Sequence, residues 1–289
     1  MKKRDHKHTL KTIVAILLLV IISSPAISQF YYKDLVTVQQ TNETFRLYKS
    51  NKINKVTLNS FQGNVPVTEG FICEQKVNLL KNEVITYTNT LDLGESYFTA
   101  VYQTQGLLIK TIDSSQEAIS YSSYQYDADS RLIAIHHSTR AADSSSRFTE
   151  SHYWQYAASG KPQKMVRIRN NKDSTHVNFV TDDKGNVTEE EIVGKTAVNQ
   201  KIYYYYDEKN RITDVVQYRQ KAKRLLPDYM FEYEETGELS TMTIVPEGSS
   251  DYQKYYYKYD ENGLKVIEFC YNKRNELMGK VQYSYSTGK

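Results

Sequence analysis

From residue 30 onward apolar and polar positions alternate with a period of two. Examples are Tyr203 to Tyr206, Val215 to Tyr218, Thr241 to Val245 and Tyr255 to Tyr259, and helical periodicity is hard to find. Tyr, Val, Ile and Thr fill these runs, while Asn, Asp, Gly and Ser gather between them, which predicts β-strands joined by short turns. One phrase recurs at the turns: two aromatic residues at alternate positions, an acid, two loose residues, then Gly or a small polar residue. It reads Tyr124-Gln-Tyr126-Asp127 to Ser130, Tyr204-Tyr-Tyr206-Asp207 to Asn210, Phe231-Glu-Tyr233-Glu234 to Gly237 and Tyr257-Lys-Tyr259-Asp260 to Gly263. Weaker copies lie at Tyr102 to Gly106, Tyr156 to Gly160 and Val180 to Gly185, so the closing residue returns every 24 to 30 positions. A period of that length predicts one up-and-down hairpin per repeat.

The acid starts a type I turn, and Gly or Asn takes the left-handed conformation that closes it with a bulge. An aliphatic residue stands six positions after the turn tyrosine in the best copies, pairing Tyr126 with Leu132, Tyr206 with Ile212 and Tyr233 with Leu239 across their hairpins. In the last copy Lys265 takes that sixth position, one residue after Leu264. Polar connections at 139–146, 170–174, 219–224 and 246–250 belong to the opposite edge. Within 30–100 the same vocabulary predicts strands at Val36 to Val38, Phe45 to Tyr48, Lys55 to Leu58, Phe71 to Val77 and Val84 to Tyr87, without a clear repeat. The expected architecture is all-β, an antiparallel hairpin-repeat meander of about fourteen to sixteen strands forming a curved or curled sheet. Residues 29–95 form an N-terminal β cap region for its edge, and 96–289 form the repeat domain.

The segments Tyr206-Asp207-Glu-Lys-Asn210-Arg211-Ile212 and Tyr126-Asp127-Ala-Asp-Ser130-Arg131-Leu132 resemble the YD repeat, Y-D-x-x-G-R-L, of Rhs-type and teneurin-like surface proteins. Both replace the Gly, and the copies that keep Gly lack the Arg. The resemblance implies a continuous antiparallel sheet that spirals or curls, and a role at the cell surface or in secretion. Rhs proteins use many more repeats to enclose a toxin domain.

The first residues alter the charge and the address. Lys2, Lys3, Arg4, Lys7 and Lys11 precede an apolar run from Thr12 to Ile22, and small residues follow up to Ser28. This predicts a secretory signal peptide over 1–28, cleaved before Gln29. Its removal takes five basic residues and one acid, leaving 32 basic against 33 acidic, so the formal charge falls from +3 to −1. The mature chain therefore offers no basic surface for nucleic acid. Charges at adjacent or alternating positions in Met165 to Arg169 and Val187 to Ile192 leave no clean lipid-facing row, which argues against a membrane barrel.

Candidate chemistry is sparse. Asp127, Asp207, Glu234 and Asp260 recur at equivalent turn positions, and turn initiation accounts for them without catalysis. Asp182-Asp183-Lys-Gly185-Asn186 lacks the alternating ligands of a calcium loop. His136 and His137 point to opposite faces of a strand, and solvated strand positions account for all four mature-chain histidines. Cys73 and Cys270 either form a disulfide or remain two buried thiols. No cofactor, metal or catalytic residue is expected. The tyrosines are the one feature suited to binding, with Tyr124, Tyr126, Tyr204, Tyr206, Tyr233, Tyr257 and Tyr259 as the candidate face. The sequence thus predicts an exported, non-enzymatic binding or scaffold protein of the bacterial cell envelope, periplasmic, outer-surface or secreted. A protein partner or surface glycan would be its ligand; the alternatives are a carbohydrate-binding sheet and a half-barrel carrier of a lipid or other apolar ligand.

Overall fold

A computed structural model describes residues 30–67, 70–193, 200–246, 249 and 251–288. The leader expected over 1–28 lies outside them. Among the described residues one helix, α1 (Tyr32–Ser50), precedes nineteen strands. They are β1 (Ile53–Gln62), β2 (Val65–Pro66), β3 (Phe71–Asn78), β4 (Glu83–Thr90), β5 (Gly94–Tyr102), β6 (Leu108–Ser114), β7 (Ala118–Tyr126), β8 (Leu132–Ala141), β9 (Arg147–Tyr156), β10 (Pro162–Arg169), β11 (Asp173–Thr181) and β12 (Val187–Val193). The rest are β13 (Gln200–Tyr206), β14 (Ile212–Arg219), β15 (Arg224–Tyr233), β16 (Leu239–Ile244), β17 (Gln253–Tyr259), β18 (Lys265–Asn272) and β19 (Leu277–Thr287).

Every strand from β3 to β19 pairs antiparallel with its neighbour in sequence, as the hairpin repeat predicts. The predicted open, curved or curled sheet is corrected: β1 pairs with β3 on one side and, over Ile53 to Gln62, with β19 on the other. With β2 a short spur on β1, eighteen strands close into a barrel. Strands β1, β3 and β4, drawn from the stretch set apart as a cap, are members of this ring. The repeat supplies a reason for closure. A register shift stands just inside each repeat turn, as at Gln125/Tyr126, Tyr205/Tyr206, Glu232/Tyr233 and Lys258/Tyr259. Bulges increase twist and bend a strand in one sense, so one per repeat curls the meander until its first strand meets its last.

Alternation decides the faces. In β13, Ile202 and Tyr204 are buried while Lys201 and Tyr205 are exposed, and the inward rows of the other strands form two clusters around α1. Outward rows carry the ion pairs Lys55–Glu74 (2.8 Å), Lys201–Glu189 (2.5 Å) and Lys254–Glu232 (3.6 Å). An aromatic interior and a charged exterior are the reverse of a membrane-spanning barrel, whose lumen is polar and whose outside is an apolar band.

The strands predicted at 36–38 and 45–48 are also corrected, because both lie in α1. The helix is about 28 Å long at 1.5 Å per residue and crosses the lumen near the end that carries the repeat turns. Its first turn meets β9, β12 and β13; its last meets β3, β5 and β19, with Phe45 stacked on Tyr102 at 4.0 Å and Tyr48 bonded to Gln75 at 2.9 Å. Lys49 and Arg46 reach the carbonyls of Thr104 and Gln105 in the β5–β6 turn. Enclosure, not local propensity, stabilises a helix carrying three threonines in nineteen residues.

Cys73 and Cys270 are free, buried thiols. They stand on β3 and β18, with β1 and β19 between them. Three strand spacings are about 14 Å, beyond the reach of a disulfide.

Candidate functional site

The repeat turns explain the acids. In Asp127, Asp207 and Asp260 one carboxylate oxygen accepts the backbone N–H groups two and four residues on, at 2.9–3.0 Å. The closing residues Ser130 and Asn210 sit at φ 62° and 60°, matching Gly263 at 75°. The second oxygen of Asp127 and of Asp207 holds the arginine four residues later, at 2.7 Å from Nε in each case. These backbone N–H groups and guanidinium contacts hold both carboxyls below the usual carboxylate range. Asp182 uses the same turn to bind Asn186, as an Asx turn requires.

Each repeat is then stitched to the next by the tyrosine. The guanidinium of Arg131 lies over the Tyr156 ring, and the Tyr156 hydroxyl donates to the carbonyl of Leu132 at 2.8 Å. Arg211 lies over Tyr233, which donates to the carbonyl of Ile212 at 2.8 Å. Tyr126, Tyr206, Tyr259 and Tyr285 make the same bond to Leu108, Val187, Leu239 and Lys265. Lys265 pairs with Tyr259 in the position that Leu132 and Ile212 hold elsewhere, and its ammonium lies over the Tyr257 ring. Replacing Tyr206 with Phe, which keeps the ring and deletes the partly buried hydroxyl with its bond to Val187, is expected to cost about 1 kcal/mol in urea unfolding. A change indistinguishable from zero would mean that the stitch contributes nothing.

The structure places all seven candidate tyrosines, Tyr124, Tyr126, Tyr204, Tyr206, Tyr233, Tyr257 and Tyr259, on inward rows, buried or half-buried. Burial pushes the Tyr126 and Tyr233 hydroxyls up to about 12 and raises the others as well. Their rings face α1 and one another rather than a partner outside. The exposed rings belong instead to Tyr97, Tyr121, Tyr153, Tyr205, Tyr218 and Tyr252.

Two buried charge sites hold α1. Glu190, on β12, accepts the N–H groups of Tyr31 (2.7 Å) and Tyr32 (2.9 Å) and the Tyr204 hydroxyl (2.7 Å), capping a helix that has no side-chain cap of its own. Burial pushes this carboxyl up to about 7 against the pull of its three donors. On β9, His152 bridges Asp34 of α1 (2.5 Å) and Glu150 (3.1 Å), and Arg169 backs Glu150 at 3.0 Å. Burial opposes charge on His152, but Asp34 and Glu150 prevail and raise it to about 9. The same burial raises Glu150, yet His152 and Arg169 prevail and hold it at about 2.

The expectation of solvated histidines is corrected at His152, which is enclosed, and at His137, which faces inward and bonds Ser122 and Thr139. His136 faces the other way, as predicted, against Ser151. The inward roles of Glu190 and His152 were accessible to strict alternation, since Glu190 shares a face with Ile192 and His152 with Trp154. Nothing in the sequence brings Asp34 to them.

Beneath α1, toward the barrel end opposite the repeat turns, the lumen holds a cavity of about 280 Å³. Thr41, Thr44, Phe45 and Tyr48 of α1 form one side, and the inward rows of β3–β6 form the other. Phe71, Val84, Phe98 and Ala100 give that wall an apolar surface, and Thr86, Thr88, Thr90 and Ser96 give it a row of hydroxyls. Asp113 is the only charged group among its described lining residues. No group of three or more metal-ligating side chains occurs among the described residues.

No family model matches the chain, and no curated protein matches its sequence. Among solved structures, TcdB2-TccC3-TEV is similar over 85% of this chain, at 11% identity and a TM-score of 0.35, and this chain spans 12% of that one. A porin-like protein from Bacteroides uniformis is similar over 81% of this chain and 98% of its own length, at 8% identity and a TM-score of 0.37. A second from Bacteroides vulgatus gives the same coverage, 12% identity and a TM-score of 0.32.

Proposed function

We propose that this chain is an exported, non-enzymatic binding barrel that carries a small apolar ligand in the lumenal cavity beneath α1. The observation that carries the reading is that cavity. At about 280 Å³ it is close to the lower end of ligand sites, about 300 Å³, and has their composition of apolar walls with a few polar groups. Three features support it. The turn acids are bound into their own turns and Glu150, Glu190 and His152 into the anchoring of α1, so these groups present no acid–base pair to an open cleft. The inward tyrosines favour an enclosed ligand over a glycan stacked on the outside. The leader read from the sequence gives the exported address.

The test is fluorescence titration of the purified protein with a naphthylamine probe, alongside Thr88→Trp and the milder Ser96→Phe, both of which fill the cavity. The expected result is saturable binding that each variant weakens about tenfold or more, a loss of at least ~1.4 kcal/mol, with circular dichroism unchanged. Equal binding by the native protein and a folded variant would overturn the reading.

A further inference from the structure

We propose that this cavity selects small primary amines with an apolar body, with the Asp113 carboxylate receiving the ammonium group. The inference rests on the reading of the cavity as a ligand site and adds the class of ligand. Asp113 lies on the inward row of β6, between Phe98 of β5 and Ser120 of β7. Each neighbour that could neutralise it is neutral or engaged elsewhere. Ser120 is bonded to Thr139 at 2.8 Å. His137, on the next strand, is held between Ser122 and Thr139, and burial lowers its affinity for a proton. On α1 the residues facing the cavity are Thr41, Thr44, Phe45 and Tyr48, while Arg46 and Lys49 extend to the carbonyls of the β5–β6 turn. Lys110, also on β6, falls on the opposite row from Asp113 by strand alternation.

The carboxylate therefore stands half-buried beside apolar walls with only the His137 imidazole, itself disfavoured from protonation by burial, to oppose it, and burial raises its affinity for a proton. A protonated amine supplies the missing charge, makes a charge-assisted hydrogen bond and leaves its apolar part against Phe71 and Phe98. A carboxylate ligand of the same shape would meet a like charge in a poorly solvated site.

Isothermal titration calorimetry near neutral pH with 2-phenylethylamine, 2-phenylethanol and 3-phenylpropionate separates the terms, using the native protein and Asp113→Asn. The expected order is amine tightest, by about tenfold or more over the alcohol, with the acid weakest. In Asp113→Asn, with its melting temperature unchanged, the amine should fall to the affinity of the alcohol. Equal affinities for amine and alcohol in the native protein, or an amine preference that survives Asp113→Asn, would overturn the assignment while the cavity remains a ligand site. Absence of binding by all three would remove the ligand site itself.

Discussion

Glu190→Ala is expected to destabilise the barrel by about 3–5 kcal/mol, more than the deletion of one bond, because three buried donors lose their acceptor at once. Those donors are the N–H groups of Tyr31 and Tyr32 and the hydroxyl of Tyr204, all within 2.9 Å of the carboxylate. The negative group also faces the positive end of α1, so its removal costs helix-dipole stabilisation as well. Glu190→Gln keeps one acceptor oxygen and the side-chain volume and should cost about half as much. Urea unfolding measures the loss, and limited proteolysis within 32–50 reports whether α1 detaches before the strands melt. An alanine variant within about 1 kcal/mol of the native protein would show that α1 is held by packing alone.

Stability is expected to decline in two steps as pH rises from about 4.5 to 9, and the signs follow from the two anchors of α1. Glu190, raised from 4.5 to about 7, contributes fully below 4.5, and that contribution is lost as pH climbs to 7. His152, raised from 6.5 to about 9, contributes fully below 6.5 and ceases to contribute above 9; at 1.36 kcal/mol per unit this second step is of the order of 3 kcal/mol. Glu150 has the opposite sign: held at about 2, it stabilises above 4.5 and loses its effect as pH falls through 2. Melting temperature should therefore peak near pH 4.5. Glu190→Gln should flatten the lower step and His152→Gln the upper one. A native melting temperature that is constant from pH 5 to 9 would refute both assignments.

The hairpins and their turns were legible because each depends on residues close in sequence. Tyr126 and Leu132, or Tyr206 and Ile212, pair across a turn whose acid and left-handed closer stand between them. Closure was not legible, because it depends on the accumulated bend of seventeen successive pairings, which no single repeat encodes. The inward direction of the tyrosines follows from closure and was hidden with it. The helix was missed for a different reason: Tyr31, Leu35, Val38, Asn42 and Phe45 do recur at steps of four and three, but Thr, Val and Tyr between them read as strand. Inside the barrel every position of α1 from Tyr32 to Val38 is at least partly covered, so its first half shows no amphipathic contrast, and only its second half presents an exposed face, with Gln39, Glu43 and Arg46 on it. The lumenal cavity has no sequence signal, since it lies between α1 and strands about twenty-five to seventy residues further on.

The pairing of β1 with β19 also sets the order in which the chain can fold. All other neighbours in the ring are joined by short connections, so their loop-closure entropy is small, whereas this seam brings together residues such as Val56 and Tyr285. Hairpins can form progressively along the chain, but the circle is completed only when its two ends meet. Until then β1 and β19 present complementary unpaired edges. A second unfinished copy offers the same pair, so at high concentration the seam can close between molecules instead of within one. The pairing that closes this ring is thus also the one through which arrested chains would link into open polymers.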